Sequence, residues 1–286
     1  MRRIILISVS AVTIVSVTAC LVFLCTSQPY QNNLPFTEKQ TQPYSLIHTE
    51  PSTPNQTFEN EIETIPETSV SATNETTEET DIETIVPEDL ELIISRSGRV
   101  LNQIHDIGCR QLVTVNSDGS SAQIDLYQLT NNTWVREEDL SCSGFVGANG
   151  VTEDMHEGSN ATPKGFFPIS EAFYISEQPE TDLSLFQITN DTYWIDDPDS
   201  AFYNRRVEGT ENKDWNSAEH MIDYTVAYEY GFVVDYNTEA VYNAGSAIFF
   251  HVSYNPTAGC VGTSRDMVLK YIAALDLSEK PYIVIV

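Results

Sequence analysis

An uncharged run, Ile4–Cys25, follows Met1-Arg2-Arg3 and spans 22 residues. That length matches a helix crossing a bilayer and exceeds the apolar stretch of a secretory signal. The two arginines before it predict a cytoplasmic N-terminus, with everything after Cys25 outside the cytoplasm. Val17-Thr18-Ala19-Cys20 also reads as a lipoprotein cleavage box with Cys20 lipidated, and plain cleavage is a third possibility. The apolar residues that continue past Cys20 favour a retained anchor over residues 1–25. All three readings place the same folded part at the outer side of the membrane.

Residues 26–90 differ in composition from residues 91–286. They are rich in Thr, Ser, Pro, Asn and Glu, and Lys39 is their single lysine. Apolar residues are sparse and keep no sustained period, which predicts a self-repelling disordered linker. The whole chain carries a formal net charge of −28. Nucleic acid is therefore excluded as a partner class, because phosphate binding needs a basic surface. An acidic surface instead tolerates or attracts cations, including substrate ammonium groups.

From residue 91 to 286 the pattern is globular and strand-rich. "RQLVTVN" and "AQIDLYQL" flank the turn signal "SDGSS" and predict a hairpin. Further strands are expected near Trp134, in "YEYGFVVDYN", in "GSAIFFHVS" and in the closing "PYIVIV". Helical patterns are scarce. "NSAEHMIDYTV" is a partial candidate, and "TSRDMVLKYIAALD" is the clearest. There, Thr263 and Asp266 fit a helix-start signature ahead of Met267, Val268, Tyr271, Ile272 and Leu275 at helical spacing. The expectation is one mainly β domain with one or two short helices.

Two residues carry candidate chemistry. Strand alternation puts Ala247, Phe249, His251 and Ser253 on one face and Ile248, Phe250 and Val252 on the other. Pro256 and Gly259 then let the chain reverse, and Cys260 falls just before the helix expected near Ser264. A thiol at a helix N-terminus and near an imidazole is activated toward thiolate. Cys109 and Cys142 have the option of a disulfide, whereas Cys260 has no evident partner. Nine positions between a His and a Cys also suit a core histidine and an inert buried thiol, so spacing alone leaves both readings open. No second Cys/His pair has zinc-ligand spacing, and the other external histidines are His48, His105, His156 and His220, so no metal site is expected.

The segment "GSAIFFHVSYNPTAGCVGTSRDMVLKYIAALD" resembles the active-site region of YkuD-like L,D-transpeptidases, in the branch with a "TAGCV" turn. "GANGVTEDMHEGSNATPKGFFPI", "YWIDDPDSAFYNRRV" and "DWNSAEHMIDYTVAYEYGFVVDYN" resemble further stretches of that branch, in the same order. The resemblance covers residues 105 to 286. It implies a mainly β, sandwich-like L,D-transpeptidase catalytic domain with one or two short helices, acting on peptidoglycan stem peptides in cell-wall cross-linking. On that basis Cys260 is the nucleophile, His251 the general base and then acid, and the backbone of Gly259, Cys260 and Val261 the oxyanion hole. His220 and Tyr236 become candidate substrate-binding residues, with Glu219 and Asn237 as further candidates for the cleft wall. Thioester chemistry of this kind needs no cofactor, and a monomer anchored through residues 4–25 is expected. Many members carry Arg two positions after the cysteine; Gly262 stands there, with Arg265 nearby as a substitute. An L,D-carboxypeptidase with the same Cys–His pair, and a non-catalytic wall-binding module, are the alternatives.

Overall fold

The computed structural model describes residues 84–286. The expected anchor, the lipoprotein box and most of the expected linker lie outside the described residues. The described part opens with α1 (Glu88–Arg96) and α2 (Leu101–Asp106). Then come β1 (Gln111–Asp118), β2 (Ser121–Thr130), β3 (Thr133–Arg136) and β4 (Cys142–Phe145). Two short strands, β5 (Val151–Thr152) and β6 (Thr162–Pro163), precede the long β7 (Gly165–Tyr174) and β8 (Ser184–Gln187). β9 (Thr192–Trp194), β10 (Arg206–Glu208) and β11 (Glu219–His220) form a small separate sheet. The chain ends through β12 (Tyr230–Val234), β13 (Phe249–Val252), β14 (Val261–Thr263), α3 (Arg265–Ala274) and β15 (Pro281–Ile285). The domain is mainly β with few helices.

Strand order in the main sheet is β1-β15-β7-β12-β13-β14-β4-β2, and β2 pairs back onto β1. The sheet therefore closes on itself, and these eight strands have no free edge between them. Alternation fills the interior: Val113 and Val115, Ile124 and Leu126, Phe232 and Val234, Phe250 and Val252, and Ile283 and Ile285 share one cluster. α3 adds Val268, Tyr271 and Ile272 to it. The sandwich-like domain implied by the resemblance is here one continuous ring of strands. The expected hairpin forms, with Asp118 opposite Ser121 across a two-residue turn.

Several expectations are corrected. The folded part does not start at residue 91. Ile85 bridges to Thr133, and Leu90 is fully buried with Ile93 and Ile94 against Leu112, Trp134 and Val284. The acidic residues Glu88, Asp89 and Glu91 give α1 the composition of the linker, while three apolar residues carry its buried stripe. There are three α-helices among the described residues rather than one or two. Thr263 does not cap α3. It lies in β14, where its hydroxyl donates to Ser143 O, and Ser264 holds the N-cap position. "NSAEHMIDYTV" is not helical at its start, because Glu219–His220 pairs with β9, and only Met221–Asp223 forms a 3-10 turn. Cys109 and Cys142 are both free thiols. Cys109 packs with α1 and α2 and donates to Gln111 O, whereas Cys142 meets Thr263 Oγ1 beside the ring interior.

A third cluster prepares the site. Phe173, Trp194, Tyr228, Phe249 and Cys260 pack together on the outer face of β7, β12 and β13. Phe249 takes edge-to-face contacts from Phe173, Trp194 and Tyr228 at 5.4, 4.9 and 5.4 Å. If α1 is part of the cooperative unit, Leu90→Ala is expected to lower the unfolding free energy by about 2–5 kcal/mol. Denaturant unfolding checks it. A variant as stable as the parent would put α1 outside the unit.

Candidate active site

β13 and β14 pair in parallel, with Phe250 opposite Val261, His251 opposite Gly262 and Val252 opposite Thr263. Phe250 and Val261 face the ring interior, so Cys260 and His251 both face outward. The same register sets Cys260 beside Phe249 and places His251 two residues further along that face. Both residues are 7% exposed. The backbone of Cys260 is clamped, its carbonyl accepting from Thr257 Oγ1 at 2.6 Å and Thr162 Oγ1 at 3.2 Å. A side chain on Gly259 would meet the Ala161 carbonyl at 3.2 Å, so glycine gives the turn room. Thr257 Oγ1 also accepts from Gly259 N–H, and Val261 belongs to β14 with its backbone in the parallel ladder to β13, which leaves the Cys260 N–H as the turn's oxyanion candidate. Val261's side chain lies in the ring core and cannot touch substrate.

Gly262 has a packing reason. A Cβ there would lie 2.4 Å from Ser253 Cβ, because Ser253 leaves the end of β13 directly over it. An arginine at this position does not fit this backbone. Arg265 does not take its place: it forms a two-oxygen ion pair with Glu229 and lies over the Tyr230 ring.

The thiol is at rest and protonated. Cys260 Sγ donates to Ala247 O at 3.2 Å and accepts from Phe249 N–H at 3.3 Å. Burial pushes its pKa far above the ordinary value, the charge of Glu219 adds to this, and the Phe249 N–H opposes it. This reverses the activation expected from a helix N-terminus. β14 separates Cys260 from α3, and a helix terminus acts within about its first turn. His251 Nδ1 lies 2.9 Å from Val252 O. A carbonyl only accepts, so Nδ1 carries the proton and Nε2 keeps its lone pair. Burial lowers the pKa of His251, against the pull of the Val252 and Ala227 carbonyls, so the ring is neutral at pH 7. Among the described residues no hydrogen bond joins Sγ to the imidazole; the edge of Tyr228 packs against both His251 and Phe249 instead.

Cys260 sits in the wall of a pocket of about 170 Å³. Glu157, Asp196, Glu219, Ser246 and Gly259 line it as well. Glu219 accepts from the buried Tyr228 hydroxyl. Burial raises the Glu219 pKa to about 7, Tyr228 pulling it down while Asp196 and Glu157 push it up. Its neighbour His220, a sequence candidate, points away. The His220 ring stacks on Tyr193 at 4.6 Å and bonds Asn190 O and Asp223, which raise its pKa. Tyr236 is also outside the pocket wall. Its hydroxyl donates to Ala244 O and its ring abuts Phe167, so it braces the loop that delivers Ser246 and Ala247. Sequence reasoning missed Asn204. Its Oδ1 accepts from Trp194 Nε1 and Ala247 N–H, and its Nδ2 donates to the carbonyls of Tyr236 and Asn237. A lone asparagine in a loop carries no signal of that role.

No family model and no curated protein matches this chain. The chemistry of the site therefore rests on its own geometry.

Glu219 gives a pH prediction. Its folded pKa, about 7, lies above the ordinary 4.5. Between those values the unfolded chain has lost the proton and the folded chain keeps it, so stability falls as pH rises toward 7. Glu219→Gln removes that loss. The variant is expected to gain stability over the parent between pH 5 and pH 8, by up to about 3 kcal/mol. Chemical denaturation at the two pH values measures it, and a pH-independent difference would refute the buried-acid assignment.

Proposed function

We propose that the chain is an extracytoplasmic cysteine acyltransferase of the L,D-transpeptidase type, acting on peptidoglycan stem peptides. The observation that carries this reading is the placement of Cys260 and His251 on one outward face of adjacent parallel strands, with the thiol in a pocket wall. The segments that resemble the YkuD-like enzymes run through the same elements, from β5 to α3. The sandwich-like catalytic domain of those enzymes, the anchor at residues 4–25 and action as a monomer belong to the same proposal.

The chemistry follows from the two neutral groups. Nε2 of His251, left basic by the Nδ1–H bond to Val252 O, takes the thiol proton as Sγ attacks the scissile carbonyl. To do so the thiol leaves its bond to Ala247 O and turns along the face toward His251. Geometry of this kind tightens only with substrate in place. The Cys260 N–H receives the carbonyl oxygen's developing charge. His251 returns the proton to the departing amine of the terminal D-residue. A thioester remains, and an amine then takes the acyl group. Nothing in these steps calls for a cofactor or a metal. Water as acceptor turns the same site into an L,D-carboxypeptidase. The protonated resting thiol is the observation that favours the other alternative, a non-catalytic wall-binding module.

A β-lactam of the carbapenem type separates the outcomes. The full chain is expected to gain one covalent carbapenem on Cys260 by intact mass. His251→Ala is expected to slow acylation by about 10²–10⁴-fold, the usual contribution of a positioned base. A folded protein with no adduct would sink the acyltransferase reading in favour of the binding module. Muropeptide products then decide the acceptor, with direct links between position-three residues for transfer and tripeptide alone for hydrolysis.

A further inference from the structure

His220 is the other half of β11, and each of its ring nitrogens faces an acceptor. Nε2 lies 2.7 Å from Asn190 O, and Nδ1 lies 3.1 Å from Asp223 Oδ2. A backbone carbonyl and a carboxylate only accept, and a neutral imidazole has a single N–H to give. Both contacts are hydrogen bonds only when the ring is an imidazolium. Its stacking agrees with this. The ring lies on Tyr193 with centroids 4.6 Å apart and planes 17° from parallel, an arrangement that suits a cation over an aromatic face.

The three partners come from three places. Asn190 is in the turn between β8 and β9, Tyr193 is on β9, and Asp223 ends the 3-10 turn after β11. The charged groups that face the ring are Asp223 and Asp191, whereas Lys213 lies over Trp215. The Asn190 carbonyl, with Asp223 and Asp191, holds the pKa of His220 above the ordinary 6.5 against the opposing effect of burial. β11 itself is a two-residue edge strand that pairs with β9 alone among the described strands. Alternation sends its two side chains to opposite faces. Glu219 goes to the pocket wall beside Cys260, and His220 goes to Asn190 and Asp223.

We infer that His220 is a positioning residue, a charged clasp whose bonds to Asn190 and Asp223 fix β11 and so hold Glu219 in the pocket wall beside Cys260. The clasp is whole while the ring is charged. When the ring loses a proton, one nitrogen turns a lone pair toward an acceptor and one of the two bonds is lost. With the folded pKa raised, the stabilisation is complete below 6.5 and fades as pH rises through the folded value. Glu219 works in the same direction. Tyr228, Asp196 and Glu157 face it, and it gives up its proton at a pKa of about 7. Rising pH therefore loosens both residues of β11, and with them the wall that Cys260 shares. The His220 side chain is 30% exposed, so solvent takes up part of the effect. None of this depends on the acyltransferase reading.

Hydrogen exchange and imidazole NMR on the full chain test the clasp. Glu219→Gln serves as the background, because it removes the second titration from the pocket. There the His220 midpoint is expected above 6.5, and protection of the β9 and β11 amides is expected to fall by about three- to tenfold as pH rises through it. Adding His220→Gln should abolish that step and leave protection low at every pH. Asp223 is 69% exposed, so Asp223→Asn is a milder variant that keeps the test valid if the first fails to fold. It should lower the His220 midpoint and move the exchange step to lower pH with it. Iodoacetamide labelling of Cys260 at about pH 6, located by peptide mass, reads the pocket wall, and should be several-fold faster once His220 is replaced or Asp223 neutralised. A His220 midpoint at or below 6.5 overturns the inference. So does an exchange step that survives His220→Gln or stays in place in Asp223→Asn, and so does Cys260 labelling that neither variant accelerates.

Discussion

The parallel pairing of β13 with β14 is the constraint from which the site follows. Adjacent parallel strands ordinarily need a crossover of about a dozen residues or more. Here only Ser253 to Cys260 connects them, eight residues without a helix. Backbone bonds pin the connection at both ends. Ser253 N–H donates to Thr263 O, Thr257 N–H to Val146 O, and Ala148 N–H to Thr257 O. The short return leaves no freedom in register. Cys260 must arrive beside Phe249, and the ring interior, closed over Phe250 and Val261, forces the thiol to the outer face that already carries His251. The absence of a side chain at Gly262 belongs to the same geometry, since Ser253 turns out of β13 across it.

Burial then sets the charge state. Thiol and imidazole lie in an apolar layer built by Phe249, Tyr228 and Trp194, and burial favours the neutral form of both. Acidic neighbours deepen the effect on the thiol. Among the described residues most carboxylates are exposed to solvent. Glu219 is different, because it sits under Tyr228 and beside Asp196 and Glu157, where holding a proton is cheaper than holding a charge. An ionised Glu219 in turn opposes a thiolate at Cys260. The acid cluster and the nucleophile are in this sense one electrostatic unit.

What could be read from sequence tracks the physical range of each signal. Period-2 alternation is local, so the faces of Ala247 to Val252, and hence the outward aim of His251, were legible. The hairpin at "SDGSS" and the closing strand were legible for the same reason. Three things were not. β11 is two residues long, and its pairing with β9 is a tertiary fact; the resemblance offered both His220 and Glu219, and only Glu219 lines the pocket. One position along a strand exchanges faces, so the choice between neighbours needed the partner strand. α1 shares the linker's acidic composition, and its burial depends on Leu112, Trp134 and Val284, distant in sequence. Cys109 and Cys142 are assigned to different clusters by the ring closure, which spacing does not encode.

The acceptor of the resting thiol proton also shows how the fold holds a site short of reaction. Ala247 has φ of +53°, a left-handed conformation that costs a non-glycine residue about 1 kcal/mol or more. Its carbonyl accepts from Sγ, and its N–H donates to Asn204 Oδ1. Asn204 is itself left-handed at +53° and uses its remaining donors on the carbonyls of Tyr236 and Asn237. Trp194, packed edge-on against Phe249, completes the tie through Nε1. The strained segment is thus fixed to the same aromatic layer that buries the nucleophile. Release of Sγ toward His251 therefore breaks a bond to a carbonyl whose own peptide is held by Asn204 and, through Trp194, by the aromatic layer, so the restraint on the thiol is local to Ala247 and the ring of strands takes no part in it.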